Sequence, residues 1–356
     1  MIDMHEGSQT GARSVYNAKG KCPKWVRRAI VASGSIACAV GVGAVSSAAV
    51  HERGAGLPRG GKVVARIVIP ENSGVLAVGE GAVWTTSDAV SMLMRLDPKK
   101  NAVVARTKIT SHNACPELPG SCGEAAAGNN AVWVSRVSDN AVLRIDPRDN
   151  SVAATIPVGP QPEGIATTPG AVWVVDKGTP SVSRIDPATN RVVATIRIGP
   201  TRACCSDHMA ITAGGGAVWV SVPSQSAVVR IDPATNAVTA RVRLLGQPCA
   251  FLAADERAVW AAGGHCARTV MRVDPRTKRV SGRVKGLLAP IGLALGFGSL
   301  WIADLDSKVI DRVNRRTGRI SGRLLVGGYP VRLAIGFGSV WVRDDTGRVL
   351  RIKPQG

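Results

Sequence analysis

The sequence predicts an all-β protein: a seven-bladed β-propeller of four-stranded antiparallel blades, closed by an N-terminal strand that completes the last blade. Three observations predict it. Seven Trp recur at near-constant spacing, each repeat holds four short strand-like segments, and the repeats are preceded by a lone strand of the kind the last repeat lacks.

The Trp series is Trp84, Trp133, Trp173, Trp219, Trp260, Trp301 and Trp341, with spacings of 49, 40, 46, 41, 41 and 40 residues. Self-similarity at this period marks solenoids and propellers. The third unit, Gly164 to Gly199, shows four runs rich in β-branched residues parted by turn signals: strand a over Gly164 to Thr167, b over Ala171 to Val175, c over Ser181 to Ile185 and d over Arg191 to Ile198. Four strands per unit and no amphipathic helical stretch select a propeller blade over a solenoid coil.

The c–d turn carries the clearest local chemistry. It reads DPKKN from Asp97, DPRDN from Asp146, DPATN from Asp186 and Asp232, DPRTK from Asp274 and NRRTG from Asn314. Asp or Asn accepts hydrogen bonds from the turn backbone, and Pro presets φ at the next position. Asn101, Asn150, Asn190, Asn236 and Gly318 then stand where a left-handed residue is wanted, and Lys278 breaks that rule at a cost in strain. An Arg two positions before each turn Asp (Arg95, Arg144, Arg184, Arg230, Arg272, Arg312 and Arg351) shares a strand face with it, which predicts a ring of structural ion pairs.

Closure follows from the ends. The seventh unit stops after strand c, Arg348 to Ile352, while KVVARIVIP (Lys62 to Pro70) matches the strand d sequence RVVATIRIG. Pairing these two leaves no long exposed edge between first and last blades. Residues 62 to 352 number 291, or about 41.6 per blade, as seven equal units require. With 45% hydrophobic residues but only 4% aromatic, and three Phe in 356 residues, the core must be Val, Ala and Ile, which suits sheets.

Ahead of the propeller (62–356) lie a basic n-region (1–28), an uncharged run (29–50) and a flexible linker (51–61). The 22 uncharged residues are long enough to cross a bilayer with the basic side in the cytoplasm. Two readings compete: a cleaved signal peptide, with small residues near Ser46 to Ala49 at its end, or an uncleaved membrane anchor. Both export the body. The expected localisation is extracytoplasmic, secreted or anchored to the cell membrane.

The two long Trp spacings place insertions in d–a connections, Thr110 to Gly123 and Gly199 to His208. These carry Cys115, Cys122, Cys204 and Cys205; Cys249 and Cys266 fall on the same rim, with His112, His208 and His265. Loops elaborated on one side of a rigid scaffold are where binding concentrates. In an exported protein disulfides are the first reading of such cysteines: Cys115–Cys122, Cys249–Cys266 and a vicinal Cys204–Cys205, with Cys249 to Cys204 or Cys205 as a live alternative. No CxxC gives a zinc spacing, so neither metal nor cofactor is expected.

The repeat GAVWV…VxRIDPATNxVVATIxVG resembles the YVTN-type propeller repeats and the related virginiamycin B lyase-like propellers, over residues 62 to 352. The resemblance implies a seven-bladed propeller; propellers of this kind serve as scaffolds, binding modules and occasional enzymes. Lyase relatives open a cyclic depsipeptide (a streptogramin B) by elimination, with a His base and a divalent metal. For this chain that would make His208 or His265 the base, with Glu124, Glu163 and Asp207 as carboxylates and Mg as cofactor. No His–Glu set of that family aligns onto these positions.

Other chemistries find no motif: there is no HExxH, GxSxG or P-loop. The body carries 37 Lys/Arg against 22 Asp/Glu (45 − 8 and 25 − 3 after removal of residues 1–61), a net +15. That charge suits an anionic partner, but no basic cluster interleaved with aromatics supports nucleic acid. The leading expectation is a monomeric, non-catalytic scaffold binding a protein, cell-envelope or small-molecule ligand on the Cys-rich rim, around Arg136, Asp139, Glu163, His208, His265 and Arg332. The alternative is the lyase.

Overall fold

The computed structural model describes residues 57–58, 60–69, 74–87, 91–109, 123–199 and 208–355, with the side chain of His265 excepted. The n-region, the segment 29–50 and Cys115, Cys122, Cys204, Cys205 and Asp207 lie outside the described residues. Among the described residues no helix is long and apolar enough to cross a membrane.

Strands β1 to β28 form seven four-stranded antiparallel sheets. In six of them consecutive strands pair in order, and the third blade, β10 (Pro162–Thr168), β11 (Ala171–Asp176), β12 (Ser181–Asp186) and β13 (Arg191–Arg197), matches the expected a–d segments to within two residues at each end. The seventh sheet has the order β1-β28-β27-β26, with β1 spanning Gly61–Val68, β26 Pro330–Gly336, β27 Ser339–Asp344 and β28 Arg348–Pro354. β1 therefore supplies the missing outer strand, in register from Gly61 opposite Pro354 to Val68 opposite Arg348. The inner strands of neighbouring blades pack against one another around the whole ring.

Every Trp of the series is fully buried. Seven apolar clusters form, one per seam between blades; that between the first two joins Trp84 and Ile109 to Val132 and Ile145. Six of the indole Nε1–H groups donate to the residue five positions earlier, at the a–b turn, as Trp84 does to the Gly79 carbonyl at 3.0 Å. Trp260 lacks this bond; in its blade the Asp255 carboxylate closes the turn instead, accepting from the N–H of Arg257 and of Ala258.

The repeated Arg forms a different ring from the one expected. In six blades its guanidinium lies over the Trp opposite it, at 5.1–5.7 Å from the ring centroid. In four blades it also reaches the c–d turn of the next: Arg144 donates to the Pro187 carbonyl (3.0 Å) and Asn190 Oδ1 (2.8 Å), and Arg95, Arg184 and Arg351 make the same pair of bonds to Pro147 and Asn150, Pro233 and Asn236, and Pro98 and Asn101. The register shift beside each Arg, as between Arg144 and Ile145, lies on strand d, where Ala153 is the extra residue, so Arg and Asp keep their common face; the long guanidinium extends over the Trp opposite it and past the short Asp side chain. The turn Asp is spent on backbone N–H groups, as Asp232 is on Ala234 and Thr235. The ring is thus cation–π stacking plus turn capping between blades, and not a set of Arg–Asp ion pairs.

Lys278 does stand in the left-handed region, at φ 57°, beside Asn101, Asn150, Asn190, Asn236 and Gly318 in the same conformation. Arg230, whose counterparts cap the Asn of the next turn, finds no amide at Lys278 and turns to Thr239 in its own blade. Lys278→Asn should relieve a left-handed Lys, worth about 1 kcal/mol, and restore the cap. We expect the melting temperature to rise by a few degrees in a thermal melt.

Asp176 and Asp311 are buried acids. Desolvation pushes each carboxyl up to about 6, against hydrogen bonds from Ser183 and Ser181 on Asp176 and the Arg323 guanidinium on Asp311. An unfolded Asp ionises near 3.8, so the native state holds the extra protons between the two values. Their contribution is fully present below pH 3.8 and is lost as pH rises through 6. Asp176→Asn should raise the melting temperature at about pH 7, where the buried charge costs about 3 kcal/mol, and change it little at about pH 4.

Candidate functional site

Each inner strand begins on the rim that carries the d–a connections, so its first residues ring the mouth of the central channel. Nine residues before the Trp of each blade stand Val75, Glu124, Gly164, Ala210, Phe251, Gly292 and Arg332. Gly164 and Gly292 are packing requirements: a Cβ there would lie 2.8 Å from the Met209 carbonyl oxygen and 2.6 Å from that of Val331, on the neighbouring inner strand. Glu124, Phe251 and Arg332 fill the same position with long side chains that meet across the mouth.

Arg332, from the seventh blade, places Nη1 2.9 Å from Glu124 Oε1 of the second and donates from Nε to the Gly74 carbonyl of the first at 3.0 Å. Its guanidinium stacks on Phe251 of the fifth at 4.8 Å. Phe251 also packs on the His208 imidazole of the fourth, centroids 4.7 Å apart. His208 then lies between two carboxylates, Nε2 at 3.9 Å from Glu124 and Nδ1 at 3.8 Å from Glu163. Glu163 is held by Lys177 Nζ (2.8 Å) and by the Met209 backbone N–H (3.0 Å). Residues far apart in sequence are thereby gathered into one polar cluster.

Each carboxylate is met by a cation, Glu124 by Arg332 and Glu163 by Lys177, so protonating His208 would add a further cation at a side chain only 15% exposed. Burial first, then the Arg332 and Lys177 cations, push the imidazole down to about 3 from the usual 6.5. His208 is neutral at pH 7. Its Nε2 is buried with no hydrogen-bond partner among the described residues, an arrangement that a hydrogen-bonding ligand would relieve.

Of the expected binding residues, Glu163, His208 and Arg332 come together here, joined by Glu124. Arg136 lies at the end of β7 (Ala131–Arg136), 1% exposed, where it pairs with Asp139 at 3.1 Å and reaches the Ile109 carbonyl. That contact braces the seam between the first two blades. His265 falls in a one-turn helix, Gly264–Ala267. Lys177 and Phe251 were missed: Lys177 follows strand b and Phe251 looks like core, and only the position nine before each Trp would have shown that Phe251 shares a place with Glu124 and Arg332.

The expected Cys249–Cys266 bridge is not made. Cys249 is a thiol whose Sγ lies 3.7 Å from Gln247 Oε1. The two loops approach where Gly246 faces Ala267, a Cβ added at Gly246 lying 2.9 Å from that of Ala267. Among the described residues no group of three or more His, Cys, Asp or Glu is arranged to hold a metal ion; the Glu124 and Glu163 carboxylates are already engaged by cations. Asp207, the third carboxylate of the Mg alternative, lies outside the described residues.

No protein-family model matches the chain, and no curated protein matches it. Solved structures do. A streptogramin B lyase superposes with a TM-score of 0.67 at 14% identity, covering 81% of this chain and 95% of that one. A virginiamycin B lyase from Staphylococcus aureus gives 0.65 at 14%, covering 82% and 99%. The Pan2 WD40 domain of Neurospora crassa gives 0.65 at 9% identity, covering 83% and 96%. At these identities the likeness is one of architecture, and on that footing the chain has the seven-bladed propeller fold of the virginiamycin B lyase-like proteins.

Proposed function

We propose that this propeller is an exported, non-catalytic binding module, and that its ligand is an uncharged, hydrogen-bonding small molecule of peptide-like character seated at the channel mouth. The observation that carries this is the buried Nε2 of His208, which has no hydrogen-bond partner among the described residues, beside two carboxylates that are each paired with a cation. An added ionic group would upset those pairs, whereas an amide or hydroxyl would complete the imidazole, with Phe251 offering an apolar wall. The segment 29–50 supplies the export signal or anchor.

A lyase-like reading is favoured by one observation, an imidazole flanked by two carboxylates in this fold. Against it stands basicity: a general base works best with a pKa near the operating pH, and His208 lies well below. Quinupristin, with which a catalytically inactive S. aureus virginiamycin B lyase has been crystallised, is the probe for turnover, and a capped, uncharged dipeptide amide is the probe for binding. In protein labelled with ¹⁵N-histidine we expect the capped dipeptide to shift the His208 ring signals, with the shift lost in Phe251→Ala, and quinupristin to be recovered intact. Unmoved His208 signals at saturating dipeptide would contradict the binding reading. Ring opening with Mg²⁺, followed by chromatography and fragmentation because elimination leaves the mass unchanged, would overturn it if lost in both His208→Ala and His265→Ala.

A further inference from the structure

The outer wall of the ring carries a charge asymmetry that closure does not require. The edge strands of blades three, four and five are β13, β17 (Ala237–Arg243) and β21 (Arg279–Val284). Their outward positions alternate with half-buried ones and hold Arg191, Arg197, Arg241, Arg243, Arg279 and Arg283, all exposed. None of the six forms an ion pair with a described residue; Arg241 donates to Gln225 Oε1 at 2.9 Å. These strands contain no Asp or Glu, and neither do the other four edge strands, of which β1 and β5 (Ala102–Lys108) add exposed Lys62, Arg66, Arg106 and Lys108, with Lys mixed among the Arg. Charge on an edge strand deters pairing with another sheet, and either sign serves. That role explains neither the single sign nor the use of Arg throughout this arc.

Guanidinium forks suit oxyanions with several acceptors, phosphate above all. The paired arginines stand six, two and four residues apart on β13, β17 and β21, about 20, 7 and 13 Å along the strands, and charges spread over such a span match a chain of repeated charges better than a single anion. Successive blades turn by about 51°, so the outward normals of blades three and five diverge by about twice that. A flat bilayer touching one would leave the other, while a flexible polymer can follow both. The seven edge strands carry no Phe, Tyr or Trp on which bases could stack.

We propose that this arginine arc is a docking surface for a flexible, linear phosphate polymer without aromatic bases. It is separate from the channel mouth and does not depend on the reading given to that site. The test uses the full chain and fluorescently labelled inorganic polyphosphate of about 100 units, with tripolyphosphate, phosphatidylglycerol vesicles and a single-stranded DNA as competitors. We expect the long polymer to bind at least about tenfold more tightly than tripolyphosphate and to lose about a hundredfold in affinity between about 50 and 200 mM salt. The paired changes Arg191→Ser/Arg197→Ser and Arg279→Ser/Arg283→Ser should each cost about tenfold, and more together. Arg148→Ser, on the 88%-exposed side chain of a c–d turn, should leave binding unchanged, and melting curves should confirm that every variant is folded. Equal affinity for long and short chains, indifference to both paired changes, or stronger competition from vesicles or DNA would overturn the proposal.

Discussion

Deletion of residues 57–69 is expected to abolish the cooperative melt of the propeller. The deletion strips β28 of its outer partner along seven register pairs and removes Ile67 and Ile69, which are buried in the seam between the seventh and first blades with Trp341 and Leu76. Two buried Ile at about 1.5–3 kcal/mol each, plus the lost ladder, approach the whole stability of an ordinary domain, about 5–15 kcal/mol. The exposed edge of β28 should also promote association. Placing the same segment after Gln355, behind an Asp-Pro-Ala-Thr-Asn turn like those of the other blades, should restore the melt, because it rebuilds the c–d hairpin in cis. A deletion variant that melts like the parent would show that β1 contributes nothing to closure.

Arg332→Met should destabilise the protein by about 3–5 kcal/mol, the range for stranding one member of a buried ion pair. The variant leaves Glu124 without the cation 2.9 Å away and the Gly74 carbonyl without its donor. Adding Glu124→Gln should recover most of the loss, since the pair and not the Arg alone carries the cost. Denaturant titration of the two single variants and the double variant measures the coupling. Additive losses would mean that Arg332 acts through Phe251 packing instead. The same change removes one of the cations that depress His208, so its pKa should rise in the single variant.

The repeat, the closure and the turn chemistry were legible because each is local and recurs around the ring. A Trp wedge, a left-handed Asn and an Asp accepting turn N–H groups are all decided within a few residues. What the Arg ring touches was not legible, because its partners are the Trp on the adjacent strand and, in four blades, the turn of the next blade some forty residues on. The channel mouth was half legible. Glu163, His208 and Arg332 could be assigned to one rim from the connection pattern, and Glu124 entered as a carboxylate of the lyase alternative. That they form one cluster of paired charges depends on the curvature that brings blades two, three, four, five and seven together at a common axis. Lys177 and Phe251 look like an ordinary loop cation and core aromatic until that curvature is known.

The proposed function rests on a neutral His208 held between compensated carboxylates, and its ionisation can be read directly. Histidine ring ¹⁵N and ¹H signals, with His208 assigned by comparison to His208→Gln, should be followed from about pH 7.5 to about pH 4. The geometry predicts that His208 stays neutral across this range, and that native stability carries a His208-dependent loss as pH falls from 6.5 towards 3, opposite in sign to that of Asp176 and Asp311. A His208 that takes up its proton at or above 6.5 would contradict a mouth whose carboxylates are already paired.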